Sequence, residues 1–145
     1  MTKRNNGALA IGIVIVIVAA LVAIFTHDGG GQKQSLVYSL DKGRTWIKYE
    51  GNPVLTSKDD PCEDDAFRDP KVFWHEESRK WMMVVAGGPL RIYSSPDLKK
   101  WTFESGYAQN QTVDGKKINS INSECPDFFK LEVGDTGIYK WVYSG

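Results

Sequence analysis

Leu36-Val37-Tyr38-Ser39-Leu40-Asp41-Lys42-Gly43-Arg44-Thr45-Trp46 returns in altered letters as Leu90-Arg91-Ile92-Tyr93-Ser94-Ser95-Pro96-Asp97-Leu98-Lys99-Lys100-Trp101. Tyr-Ser and Trp recur at the same spacing, about 55 residues on. A second match lies at nearly the same offset: Asp69-Pro70-Lys71-Val72-Phe73 leading to Lys80-Trp81, against Cys125-Pro126-Asp127-Phe128-Phe129 leading to Lys140-Trp141. Two independent matches at one period mean repeated supersecondary units. Between them run short β-type stretches broken by turns, and nothing of helical period persists, so the class is all-β. A period near 50 in an all-β chain predicts propeller blades of four strands each. Each unit has an apolar strand, a polar turn such as His75-Glu76-Glu77-Ser78-Arg79, and a second strand from Trp81 to Ala86. A further hairpin closes on Asp41-Lys42-Gly43 or Pro96-Asp97, where Asp, Gly and Pro supply the backbone angles of a tight turn.

At 145 residues the chain has room for one domain, and 41% hydrophobic with 12% aromatic content suffices for a packed core. Eighteen Lys and Arg balance eighteen Asp and Glu, so no basic excess draws a phosphate backbone, and nucleic acid is not an expected partner. Cys62 and Cys125 lack C-x-x-C spacing, and the only histidines are His27 and His75, which argues against a zinc site and leaves one disulfide open. Once an apolar leader is set aside, the remaining length holds about two blades, whereas propellers close with about 4–8. The expectation is an incomplete propeller.

That leader is an uncharged run of eighteen residues, Ala8 to Phe25, following Lys3 and Arg4. Its length suits an apolar N-terminal helix crossing a membrane. A cleaved signal peptide has a shorter apolar region and a small-residue cleavage site, which this run lacks. Residues 1–25 are therefore expected to be a signal-anchor or transmembrane segment, with residues 26–145 as the propeller domain. Positive charge ahead of the span places that domain outside the cell, membrane-anchored or, after cleavage, secreted.

In a propeller the innermost strands run along the central axis, so corresponding residues of successive repeats converge on one funnel. Asp69 stands just before Pro70 and Glu124 two before Pro126, which places both acids at the mouth of that axis. Proline is tolerated there because the start of an inner strand can lack one ladder N–H. Converging carboxyls are what glycoside hydrolysis requires, one to protonate the leaving oxygen and others to attack or stabilise the oxocarbenium-like transition state. Neighbouring like charge would keep one of them protonated near neutral pH. Arg68 is placed to bond sugar hydroxyls or to hold a carboxylate. Spacing alone does not separate this from ordinary acids at blade entrances.

Phe67-Arg68-Asp69-Pro70-Lys71-Val72-Phe73 and Glu124-Cys125-Pro126-Asp127 resemble the two later active-site motifs of glycoside hydrolase family 32, the invertases, levanases, inulinases and other β-fructosidases. The likeness continues through Gly51-Asn52-Pro53-Val54-Leu55 and Lys140-Trp141-Val142, and covers nearly all of residues 21–145. It implies a five-bladed propeller followed by a β-sandwich, acting on sucrose or a fructan such as levan or inulin without a cofactor or metal. Hydrolysis would proceed with retention through a fructosyl–enzyme intermediate. Carried over by position, Asp69 is the transition-state stabiliser, Arg68 its neighbour in the substrate pocket, Glu124 the general acid/base, and Cys125 a neighbour that tunes Glu124. Leu21 to Thr26 resembles a second-blade strand, which competes with the membrane reading of the same residues. The family's nucleophile is the aspartate of an early W-M-N-D-P-N-G segment, which is absent from these 145 residues. Without it the covalent step has no attacking group, and no turnover is expected from this chain alone. The alternative is a membrane-anchored carbohydrate-binding remnant without catalysis.

Ser39 to Trp46 resembles the S-x-D-x-G-x-T-W Asp-box of sialidase-type propellers, read here as scaffold. A sialidase needs an arginine cluster, and Arg44, Arg68, Arg79 and Arg91 show no repeated placement. Asp59, Asp60, Glu63, Asp64 and Asp65 lack the order and glycine of a calcium loop, so a solvated acidic loop, or one that shapes the pocket mouth just before Arg68, is expected. Asn110-Gln111-Thr112 fits the N-glycosylation pattern, and His75 is expected to face solvent.

Overall fold

The computed structural model describes residues 20–62, 66–107, 112–113, 116–117 and 123–145. Among the described residues twelve strands run in chain order: β1 Leu21–Asp28, β2 Gln32–Ser39, β3 Ile47–Lys48, β4 Leu55–Thr56, β5 Arg68–His75, β6 Lys80–Ala86, β7 Leu90–Ser95, β8 Thr102–Tyr107, β9 Thr112–Val113, β10 Lys116–Lys117, β11 Asp127–Glu132 and β12 Tyr139–Ser144. A single 3-10 turn, Ser57–Asp59, is the helical content of the described residues.

β5-β6-β7-β8 form a four-stranded antiparallel meander. β1-β2-β3, with β4 added on β2, form the sheet that comes first along the chain, and the meander is the second. β11 and β12 pair as a third, and β9 with β10 as a short ribbon. By the sequence repeat, β2 corresponds to β7 and β11 to β5. The described residues therefore hold one whole four-stranded unit between two partial ones. The all-β expectation holds across the described residues.

Turn chemistry sets the hairpins where the sequence placed them. Ser39 Oγ accepts the N–H of Gly43 at 2.7 Å, and Asp41 takes Thr45 N–H and Thr45 Oγ1–H at 2.8 and 2.7 Å. These hydrogen bonds favour the ionised carboxylate and lower the Asp41 pKa to about 2. Ser95 and Asp97 repeat the device in the next sheet, where Asp97 accepts the N–H groups of Lys99 and Lys100 at 2.9 Å. The hydroxyl and carboxylate stand in for backbone partners that a tight turn leaves unmet.

The core lies between the first two sheets. Leu55, Phe67, Met83, Val85 and Tyr93 form its buried cluster, and Ile24, Val72, Trp101 and Phe103 pack against it. Met83 through Ala86 are buried without interruption, as a central strand covered on both faces must be. The third sheet docks through aromatics: Trp141 stacks on Phe128 at 5.2 Å and meets Phe73 of β5 at 5.2 Å.

The N-terminal expectation is corrected in part. Leu21–Phe25, the end of the apolar run, belongs to β1 and not to a helix, its eight residues pairing in register with β2. Isoleucine, valine and phenylalanine favour a pleated strand as readily as an apolar helix, so hydropathy alone misassigned these residues. Among the described residues no helix is long and apolar enough to cross a membrane. Residues 1–19, the rest of the expected anchor, lie outside the described residues, as do Asn110 and Gln111 of the glycosylation pattern.

Candidate active site

Pro70 and Pro126 each sit at the head of a first strand, and the residue before each adopts a left-handed backbone: φ is 57° at Asp69 and 45° at Cys125. Proline steers its predecessor towards extended backbone, so these two left-handed angles are held against that preference. Left-handed backbone at a residue other than glycine costs energy and concentrates at functional sites. β5 pairs irregularly with β6 between Arg68 and Lys71, a bulge that re-aims these side chains.

The two sheets meet residue for residue at one repeat offset. Arg68 Nη2 donates to Glu124 Oε1 at 2.5 Å, and Cys125 N–H donates to Asp69 Oδ2 at 3.0 Å, both across 56 positions. Lys71 pairs with Asp127 at 2.9 Å at the same offset and holds the Asp127 carboxyl below its ordinary range. The sequence reading set Asp69 and Glu124 at nearly equivalent places, one and two residues before their prolines. In space Asp69 corresponds to Cys125 and Arg68 to Glu124, so each acid meets a donor of the opposite sheet. The Arg68 and Glu124 side chains are 27% and 61% exposed, so the pair lies on an open face.

Behind this face the first sheet holds Asp69 through side chains that the sequence reading did not single out. Asp69 N–H donates to Thr26 Oγ1 at 3.0 Å, and that hydroxyl donates to Gln34 Oε1 at 3.0 Å. Gln34, fully buried, donates from Nε2 to the Phe67 carbonyl at 2.8 Å, and Gln32 Oε1 accepts Phe67 N–H at 2.7 Å. The available signal was Gln32-Lys33-Gln34, with two amides two residues apart on the core-facing side of a strand.

Asp60 corrects the solvated-loop reading. Its side chain is fully buried and pairs with Arg91 at 2.7 Å, because a charge removed from water needs a bonded counter-charge. Asp59 caps the 3-10 turn by accepting Thr56 N–H and Oγ1–H at 3.0 and 2.8 Å. Glu63, Asp64 and Asp65 lie outside the described residues. Among the described residues no cluster of metal-ligating side chains forms. Cys62 and Cys125 are both free thiols, and burial followed by the Asp60 charge pushes the Cys62 thiol pKa up. His75 is not simply solvent-facing: Nδ1 accepts Ser78 N–H at 3.2 Å, and its ring lies 5.5 Å from Trp141.

Similarity to known proteins follows the same residues. The model of the glycosyl hydrolases family 32 N-terminal domain matches residues 2–144. A levanase of Bacillus subtilis is 50% identical over 125 residues, which are 84% of this chain and 17% of that protein. A fructan β-fructosidase of Streptococcus mutans is 46% identical over 86% of the chain and 8% of its own length. Among solved structures, an exo-inulinase from Aspergillus awamori superposes with a TM-score of 0.71 at 34% identity, over 87% of this chain and 27% of that one. A fructofuranosidase from Schwanniomyces occidentalis, complexed with fructose, gives 0.67 at 35% identity over 84% and 22%. The chain thus spans about a quarter or less of each of these four proteins.

Proposed function

The chain belongs to glycosyl hydrolase family 32, and from that premise we propose that residues 68–69 and 124–125 form part of the fructosyl-binding site of a β-fructosidase. The observation that carries the reading is the paired contact of Arg68 with Glu124 and of Asp69 with Cys125, which brings two carboxylates from successive sheets to one exposed face. The substrate class is a fructan, as the names of the relatives suggest, or sucrose, as the family resemblance implies.

In this reading Asp69 accepts hydrogen bonds from fructosyl hydroxyls while the Cys125 amide fixes one of its oxygens. Its carboxylate also faces the positive charge that develops on the ring in the transition state. Glu124 is the general acid that protonates the leaving oxygen, and afterwards the base that activates water. Arg68 orients Glu124 and reaches sugar hydroxyls beside it. The attacking carboxylate of a retaining mechanism would come from a W-M-N-D-P-N-G segment, which these residues do not contain. The 145-residue chain by itself should therefore recognise a fructoside without turning it over. Calorimetry with sucrose and inulin oligosaccharides, run beside an assay for released fructose, tests this. Saturable binding without release is expected, and saturable release of fructose by the purified chain would overturn it.

A further inference from the structure

Arg91, in β7, touches neither acid and is fully buried. Its guanidinium spreads over three segments of chain. Nε and Nη2 donate to Asp60 Oδ2 at 3.0 and 2.7 Å. Nη1 donates to the carbonyls of Ala86 and Pro89 at 3.3 and 2.9 Å, and also to that of Gly87. The guanidinium carbon lies 5.6 Å from the centre of the Phe67 ring, directly ahead of Arg68 and Asp69 in the chain.

The turn held by Nη1 reaches both halves of the site. Gly87 N–H donates to the Ser123 carbonyl at 2.8 Å, and Ser123 N–H donates to the Gly88 carbonyl at 3.3 Å; the next residue is Glu124. On its other side Gly87 lies so near Ala66 that a Cβ would sit 2.7 Å from the Ala66 carbonyl carbon, and its φ of +87° favours glycine independently. One guanidinium therefore fixes a turn wedged between the segment ending in Asp69 and the segment ending in Glu124.

We propose that Arg91 is a positioning residue, whose fork, anchored on Asp60, sets the placement of Asp69 relative to Glu124 through Phe67 on one side and Gly87-Gly88 on the other. Stability alone does not call for an ion pair here, because well-packed apolar side chains of similar volume serve a core as well or better. What they lack is directional bonding. The planar guanidinium bonds a carboxylate and several carbonyls at fixed angles, which a lysine ammonium does not reproduce. The inference rests on reading the two acids as one fructosyl site, yet the placement itself is measurable without sugar.

The test uses the whole chain, with Arg91→Lys, the double variant Arg91→Met with Asp60→Leu, and Leu36→Ala as a buried control in the first sheet. The Cys125 amide resonance in 15N–1H spectra reports its bond to Asp69, and calorimetry reports affinity for sucrose. Both Arg91 variants are expected to move that resonance towards its position in Asp69→Ala and to weaken sucrose binding at least tenfold. Leu36→Ala is expected to lower the melting temperature with neither effect. The double variant restores an apolar core, so it decides the matter should Arg91→Lys fail to fold, and the reverse holds equally. An unchanged Cys125 resonance and unchanged affinity in a folded Arg91 variant would overturn the proposal, as would equal changes in Leu36→Ala. A resonance that moves in the Arg91 variants when even the parent chain binds no sucrose would uphold the positioning role and refute the fructosyl reading.

Discussion

Asp69 Oδ2 accepts the amide hydrogen of Cys125 at 3.0 Å, and the two residues stand one repeat apart, each before a proline and each with a left-handed backbone. A strained residue of one sheet thus holds its counterpart in the next. The contact depends on the carboxylate and on the backbone angle together, and substitution can separate the two.

Asp69→Gly and Asp69→Ala both remove the acceptor, but only alanine retains a Cβ at φ 57°. Urea unfolding should find the glycine variant more stable by about 1 kcal/mol. Both should lose measurable affinity for sucrose. Equal stability would mean that the backbone relaxes away from the left-handed region once the carboxylate is gone.

The Arg68–Glu124 pair is partly open to solvent. Surface ion pairs contribute little, so Arg68→Gln should change unfolding free energy by less than about 1 kcal/mol. Sucrose affinity should nevertheless fall at least tenfold in calorimetry, because in the proposed site the guanidinium orients Glu124 and meets sugar. A stability loss of several kcal/mol with affinity intact would assign Arg68 to the scaffold.

Asp41 has a folded pKa of about 2 against an ordinary 3.8, lowered first by the Thr45 amide. A depressed carboxyl contributes stability that is complete above the ordinary value and is lost as pH falls through the folded one. The Thr45 amide shift should accordingly titrate with a midpoint near 2 while the rest of the first sheet stays folded. Asp41→Asn should abolish that titration.

Trp141 joins the third sheet to β5 by stacking on Phe128 and meeting Phe73. Its side chain is half-buried, so Trp141→Ala should cost about 2 kcal/mol in urea, below the range for a fully buried aromatic. Loosening β11 also displaces Glu124, and sucrose affinity should fall with stability. A stability loss with full affinity would show that Ser123 and the Gly87-Gly88 turn hold Glu124 without the aromatic contact.

Local chemistry is what the sequence displayed most clearly. Ser39, Asp41 and Gly43, and again Ser95 and Asp97, meet their partners within five residues, so turns and repeat were both readable. Asp69 and Glu124 stood out because Pro70 and Pro126 mark the same place in each unit. Contacts that cross sheets left no such mark. Asp60 reaches Arg91 across 31 positions, and Asp69 reaches Thr26 across 43, with no period to announce either. Asp60 therefore read as one more solvated acid, and Arg91 as a stray arginine. The one-residue offset between the acids could be read against Pro70 and Pro126, but the contacts it sets up, Arg68 with Glu124 and Asp69 with Cys125, could not. Leu21–Phe25 went the other way, since a β-branched apolar run satisfies strand and membrane helix alike.

The central claim is that two successive sheets present one fructosyl site, and mapping 15N–1H shifts of the whole chain during a sucrose titration tests it most directly. The account predicts that the amides of Arg68, Asp69, Glu124 and Cys125 move together along a single saturable curve, with Gly43 and Thr45 unmoved. Saturable shifts confined to one of the two sheets, or none at these four residues, would contradict it.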